Sequence, residues 1–438
     1  MIASERLIPT QAAPTVATYT ISSDGNRLGP ELTVLSLVVD RQVNRIPTAT
    51  LVIRDGEVSA QTFKVSESGD FNPGKEIVIE LGYRASNTEI FRGEVTGQQL
   101  KIRNQRSLLV VTIKDPAYKM SVGRRSRYFS EQTDSDAWEA IISSASLSTT
   151  GDGTTAIVPE LTQHHCTDWD FVMSRVEANG MVCIVRAGEL AMKKPTLAPT
   201  AALKLEFGAN LLSFDAALDV RDQFTEANAT AWRPTDAEAV TETSSPALGG
   251  AARGDYTTNK QAEVHERNPE ALHHGGDLSV DELTGWASAV AERSRLARIR
   301  GAAEFQGTAA VVVGDTVELA GMGAAFNGQA YVAGLRHEMA DGQWRTMAQL
   351  GLDPETFTER YPVSAPPAGG LLPAVSGLHV ATVIQMHDDP TGEERILVKM
   401  PALNPEGEGN WARLATGLAG NEAGLTFRPA VGDEVLVG

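Results

Sequence analysis

The sequence predicts a mainly β protein with an α+β insert, assembled from more than one antiparallel barrel or sandwich. Three observations carry this expectation. The 40 glycines and 21 prolines among 438 residues punctuate the chain into many short strands and turns. Apolar residues alternate with a period of two between Thr18 and Asp115 and again beyond Gly301, the mark of strands with one buried face. Helical periodicity is confined to two short stretches and one longer one. At 46.7 kDa the chain has room for about three domains of ~150 residues.

The first region, residues 1–120, reads as strand and turn throughout. In KEIVIELGY, Ile77, Ile79 and Leu81 share one face, and in SLLVVTIKD, Leu109, Val111 and Ile113 do. Asp24-Gly25, Asp55-Gly56 and Pro73-Gly74 supply turn chemistry between strands. Closure into a small antiparallel barrel or sandwich follows.

Residues 121–200 change period. In TDSDAWEAIISSAS, Ala137, Ile141 and Ala145 fall on one helical face behind a capping cluster, and in TDWDFVMSRVEANG, Trp169, Val172, Met173 and Val176 do the same. Thr167 and Asp170 stand at capping-box spacing, and Gly180 suits the exit. With strands such as MVCIVRAG these helices make a compact α/β insert.

Residues 201–362 predict a second barrel. Within it Pro234 to Gly276 is polar and poor in periodicity, which reads as a long loop or extended segment. A helix over 280–300 follows, with Ser279 as N-cap, Glu282 three residues on, and Leu283, Trp286, Ala287 and Val290 as its apolar face. Arg293, Arg295, Arg298 and Arg300 suit its dipole, and Gly301 is expected to end it. Residues 363–376, rich in Pro and Gly, form a linker, and 377–438 form a third unit that is marginal on its own.

The formal charge is -18 and the isoelectric point about 4.9, which disfavours nucleic-acid binding. The two cysteines, Cys166 and Cys183, are too few for a disulfide framework. Glu5 and Pro9 interrupt the place of a signal-peptide core, and no run of eighteen apolar residues occurs. The expectation is a chain made soluble and carried out of the cell, if at all, by another machine.

Candidate chemistry is sparse. His164, His165 and Cys166 are adjacent, which hinders convergence on one ion, and read as strand-end residues. His273-His274 reads as solvent-exposed loop, and Asp388-Asp389-Pro390-Thr391-Gly392 as a hairpin turn without the spaced ligands of an EF-hand. GMGAAFNG, 321–328, precedes a strand rather than a helix and so reads as a hairpin, not a phosphate loop. Trp411 and Tyr361 are the sugar-stacking candidates if the chain is a glycan-binding module. No catalytic, cofactor or metal residue is expected, and the chain is not expected to be an enzyme. The basic run Arg124 to Arg127 is either a solvated face or, through Arg124 and Arg125, part of an oligomer contact. The closing stretch RPAVGDEVLVG ends on apolar strand residues, which predicts that more chain or a partner covers it, with Val435 and Val437 as interface candidates.

Several stretches resemble, in order, the hub and spike proteins of contractile injection machines, the VgrG family and the related phage baseplate hub. They are IFRGEVTG, VTIKDPAYKMSVGRRSRYFSEQTDSDAWEAI, QHHCTDWDFVMSRVEANGMVCIVRAGEL and GDTVELAGMGAAFNGQAYVAGLRHEM. LHVATVIQMHDDPTGEERILVKMP with NWARLAT and GLTFRPAVGDEVLVG is similar to the OB-fold-type barrel that follows the hub there. The resemblance implies two tube-like antiparallel β-barrels, a small α/β insert and a C-terminal OB-fold-type barrel leading to a β-helical needle beyond Gly438. It also implies a homotrimer that adapts a six-fold inner tube to a three-fold puncturing tip. Baseplate proteins, a tip protein or a cargo effector are the implied partners, with transient membrane contact on firing. Assembly in the bacterial cytoplasm and action in a released, phage-tail-like particle are the preferred setting. A phage or tailocin spike and a type VI secretion spike are the alternatives within the family, and a β-rich envelope- or glycan-binding module the alternative outside it.

Overall fold

The computed structural model describes residues 16–57, 61–103, 106–245, 261–264, 269–371, 377–419 and 424–438. It forms two compact units, Met1–Ser364 and Ala365–Gly438.

The first unit opens with strands β1 (Ala17–Ser23), β2 (Asn26–Arg27), β3 (Val34–Gln42), β4 (Thr48–Arg54), β5 (Glu76–Tyr83), β6 (Ser86–Arg103) and β7 (Arg106–Lys114). All pair antiparallel, in the order β3-β4-β7-β6-β5-β1-β2. The alternation seen in the sequence is the reason: Ala49, Leu51 and Ile53, then Ile77, Ile79 and Leu81, then Leu109, Val111 and Ile113 all enter one core. Helix α1 (Lys64–Glu67) is held where Asp55 accepts from the backbone N–H groups of Val65 at 3.0 Å and Ser66 at 2.8 Å. The β5–β6 turn places Arg84 at φ 55° and Ala85 at φ 63°, left-handed positions usually given to Asn and Gly.

The insert contains β8 (Arg125–Thr133), α2 (Asp134–Ser144), β9 (Ser148–Gly151), β10 (Ile157–Cys166), α3 (Asp168–Ala178), β11 (Val182–Arg186) and β12 (Glu189–Lys193). Both helices start as the sequence predicts. Thr133 and Asp136 form a reciprocal capping box, and Thr167 Oγ1 accepts from Asp170 N at 3.0 Å. Trp138, Ile141, Val172 and Val176 fill the shared core. Gly180, at φ 69°, does more than end α3: a Cβ there would meet Ala289 Cα at 3.0 Å.

The second barrel uses β13 (Leu203–Glu206), β14 (Leu211–Leu218), β18 (Ile299–Gln306), β19 (Thr316–Ala320), β20 (Gly328–Ala340) and β21 (Gln343–Leu350). Between β14 and β18 lie β15 (Ala227–Arg233), β16 (Glu238–Ser244), β17 (Glu270–His274) and α4 (Val280–Ala297). Helix α5 (Phe357–Arg360) closes the unit.

Two expectations are corrected here. Within 234–276 the loop reading fails at Glu238–Ser244 and Glu270–His274, which are extended: β16 and β17 flank β15 in a three-stranded sheet packed on α4 through Ala227, Ala229 and Ala231. Alanine contacts and Thr/Glu outer faces give this sheet little hydrophobic signal. Residues 246–260 and 265–268, which fall in the same expectation, lie outside the described residues. Gly301 does not end the helix either. Arg298 caps α4 in helical geometry, and Gly301 is the third residue of β18, where a Cβ would meet Asp215 O at 2.2 Å. The glycine serves strand packing, not helix termination.

The two barrels are one continuous sheet. The first part of β20 pairs with β19, Thr316 opposite Tyr331 and Leu319 opposite Gly328. Its second part pairs with β3, from Gly334 opposite Gln42 to Ala340 opposite Ser36, while β21 pairs along it from Val332 to Ala340. A bulge falls at Val332/Gly334, where the partner strand changes, as bulges do where a sheet is redirected. Ala17 N donates to Gly342 O at 2.8 Å, so the β20–β21 turn also meets β1 and brings Met339 and Trp344 into the first core.

The second unit has a four-stranded sheet in the order β24-β23-β22-β27 and a separate β25–β26 hairpin. These are β22 (His379–Gln385), β23 (Ile396–Lys399), β24 (Asn410–Ala412), β25 (Leu418–Ala419), β26 (Gly424–Leu425) and β27 (Glu434–Val437). Its core is small, with Ala381, Val383, Ile396 and Val398 buried.

Candidate functional site

Buried ion pairs fix the elements of the first unit against one another. Glu177, on the last turn of α3, lies 2.7 Å from Arg293 Nη2 of α4. Asn44 Nδ2, from the β3–β4 loop, donates to Glu177 Oε1 at 2.5 Å, and the backbone N–H of Phe357 donates to Oε2. Asn44 Oδ1 in turn accepts from Cys183 N at 2.7 Å, and Arg293 Nη1 donates to Asp353 O at 3.1 Å. One carboxylate thus ties the first barrel, the insert, the long helix and the closing segment together. A second pair joins the insert helices: Arg175 donates to Asp134 from Nε at 2.6 Å and Nη2 at 2.8 Å. Neither keystone was legible in the sequence, because partners 41 residues apart in Asp134–Arg175, and farther apart still in Glu177–Arg293, carry no spacing signal.

The basic run is engaged within the chain. Arg124 Nη1 donates to His165 O at 3.1 Å and Val363 O at 3.2 Å. Arg125 and Arg127 both reach buried Asp168, at 3.2 and 2.6 Å. His164 and His165 lie in the irregularity of β10 between Gln163 and Cys166, both exposed, whereas Cys166 is buried. His273 and His274 stand exposed on β17. Cys166 and Cys183 are free thiols, and burial pushes the Cys183 thiol far above its usual range.

Asp389 accepts from Arg395 Nη2 at 2.7 Å and from the N–H groups of Thr391, Glu393 and Arg395. The turn's carboxylate is thereby occupied by its own chain, and the Arg395 guanidinium leads in holding its pKa well below the usual range. GMGAAFNG is the β19–β20 turn, in which Asn327 Oδ1 accepts from Met322 N at 2.9 Å. Tyr361 Oη accepts from Arg45 Nη2 at 2.7 Å, and Trp411 lies on β24 opposite Leu397.

An open cleft of about 820 Å³ lies where α3, α4, β17 and the 353–360 segment meet, with Phe224, Leu272 and Trp286 in its lining. Its arginines are already paired: Arg293 with Glu177, Arg300 and Arg360 with Asp353, and Arg221 with Asp219. No histidine or cysteine is among its described lining residues, and the hydroxyl–carboxylate pair in the lining, Thr356 Oγ1 donating to Glu359 Oε2 at 2.9 Å, is the capping pair of α5. Within the first barrel His337 is buried, with Nδ1 2.9 Å from Thr346 Oγ1. Burial, then the charge of Arg41, lowers its pKa to about 4.

In the second unit Val435 and Val437 face the small core, opposite Ala381 and His379 of β22. The residue between them points the other way: Leu436 is 68% exposed and directly opposite Val380, itself 47% exposed. Leu418 and Leu425, opposite each other in the β25–β26 hairpin, are also exposed, as is Phe427. The sequence VLV admits either parity, and only the register with β22 selects Leu436 as the outward residue.

The profile of the Alg8 N-terminal domain family matches residues 13–341, about three quarters of the chain. That of the type VI secretion system/phage-baseplate injector OB domain matches residues 379–438. No curated protein matches the sequence. Among solved structures, the chain is similar in fold to the 43 kDa tail protein of prophage MuSo2 from Shewanella oneidensis, with 11% identity and a TM-score of 0.56 over 77% of this chain and 98% of that one. A tail protein from Neisseria meningitidis MC58 aligns with 11% identity and a TM-score of 0.54 over 79% and 100%. The c3393 protein of E. coli, described as a component of the type VI secretion system, aligns with 12% identity and a TM-score of 0.48 over 89% and 92%.

Proposed function

This chain belongs to the Alg8 N-terminal domain family and has a VgrG-like baseplate-spike fold, and on that premise we propose that it is the trimeric spike-hub of a contractile injection system. The observation that carries the reading is the order of the two matches, a hub-length family domain over 13–341 followed by an injector OB domain over 379–438. Two barrels per chain make six in three copies, which matches a six-fold inner tube at one end while the OB units retain three-fold symmetry. The continuous sheet through β20 supports this role, since a hub that transmits force needs its barrels fixed to each other.

The proposed partners are two further copies of the chain, the inner tube protein, baseplate proteins, and a tip protein or cargo effector. The protein works without catalytic turnover. It is assembled in the bacterial cytoplasm and acts in a released, phage-tail-like particle that meets a target membrane only on firing. The OB-domain description, which spans phage baseplates and type VI secretion, favours as second reading a phage, tailocin or type VI spike.

Mass measurement of the purified protein tests the reading. The expected result is three times the 46.7 kDa chain mass; a stable single chain across concentrations overturns it. Recovery of the chain from sheath-bearing particles in cell-free medium tests the setting, and retention wholly inside cells favours the type VI reading.

A further inference from the structure

The second unit exposes apolar side chains that its fold does not use. Its buried core is Ala381, Val383, Ile396 and Val398. Outside that core lie two apolar patches on different sheets. The first is the outward face of β22 and β27, where Val380 and Leu436 are cross-strand neighbours and Leu378 is 73% exposed. The second is the β25–β26 hairpin, where Leu418 opposes Leu425 at 57% and 54% exposure, followed by Phe427 at 81%. Six large side chains in this state offer apolar area on the order of several hundred Å², against about 800 Å² per partner in a standard interface.

We infer that in the assembled protein the β25–β26 hairpin of one copy packs on the β22–β27 face of the next, head to tail. The inference rests on the multi-copy reading above and adds the surfaces and their sense. Residues 377–438 carry nine acidic and four basic side chains, which disfavours an anionic lipid surface as the occupant. In a ring of three copies every contact is heterologous, which sets the hairpin of one copy against the β22–β27 face of the next. Where the rotation closes, as three-fold symmetry requires, that contact covers both patches on every copy. β27 is also an edge strand of its sheet, and seating a neighbour beside it shields that edge from unrelated strands.

The test is cross-linking of the full chain with a short flexible bis-maleimide, with Leu418→Cys and Leu436→Cys made singly and together. The native Cys166 and Cys183 are buried and give a low background. The expected result is a covalent three-chain product from the double variant and only single chains from either single variant. Cross-linking of a single variant to itself, or no product from a double variant that still has three copies by mass, overturns the inference. A wild-type protein of one copy instead overturns the functional reading, so the two failures are distinct. In a second measurement Leu418→Asp and Leu436→Asp each lower the temperature at which the three-copy state dissociates, and the double variant loses no more than the worse single, since both remove one contact. Additive losses overturn the pairing.

Discussion

Glu177 and Arg293, brought within 2.7 Å from α3 and α4, form a buried pair that the structure cannot lose from one side only. Asn44 and the backbone of Phe357 depend on the same carboxylate. Removing it leaves a buried guanidinium without its counter-charge, which costs about 3 kcal/mol or more. Glu177→Ala is expected to lower stability to urea by that order, whereas Glu177→Ala combined with Arg293→Met recovers part of the loss. Equilibrium unfolding of the four-member cycle checks this, and additive effects would remove Glu177 from its role.

His337 makes the first barrel sensitive to acid. Its folded pKa of about 4 lies below the ordinary value near 6.5, so the unfolded chain binds the proton more tightly. Stability is therefore fully present above pH ~6.5 and is lost as pH falls toward 4, by at most about 3 kcal/mol. Urea midpoints measured between pH 7 and 5 should fall for wild type and fall less for His337→Gln. Equal slopes would show that other groups set the response.

Arg84 and Ala85 hold left-handed turn positions, with φ of 55° and 63°, where a β-carbon is unfavourable. Ala85→Gly is expected to stabilise the protein by about 1 kcal/mol. A higher melting temperature is the readout, and a lower one shows that the turn tolerates alanine better than its angles imply.

Gly301 is packed against backbone, with Asp215 O 2.2 Å and Ala216 Cα 2.5 Å from the place its Cβ would take. Gly301→Ala must push β14 away from β18, at a cost of about 1–3 kcal/mol. Hydrogen exchange at Leu211–Leu218 should accelerate while that of β4 and β7 is unchanged. Unchanged protection in β14 would mean that the strands separate at little cost.

The sequence made the strands of the first barrel readable because Ile77, Ile79, Leu81 and their counterparts have one unambiguous inner face. Helix starts were equally plain at Thr133, Thr167 and Ser279, where the capping side chains act within three residues. What stayed hidden is non-local. The alternation in QAYVAGLRHEM is the same whether its neighbour is β19 or β3, so the change of partner at Gly334 leaves no trace in the pattern. β16 and β17 were obscured by alanine contacts, and Gly301 was read as a helix stop because glycine serves both purposes. The parity of Val435, Leu436 and Val437 depended on the register with β22, which no local feature specifies.

The strand that belongs to both barrels has a mechanical consequence. A pull that tries to part the barrels lengthwise meets unbroken peptide bonds in Gly328–Ala340, flanked on both sides by rungs that must slip together rather than unzip one at a time. Such a splice yields abruptly and late, with little internal slack between the barrels.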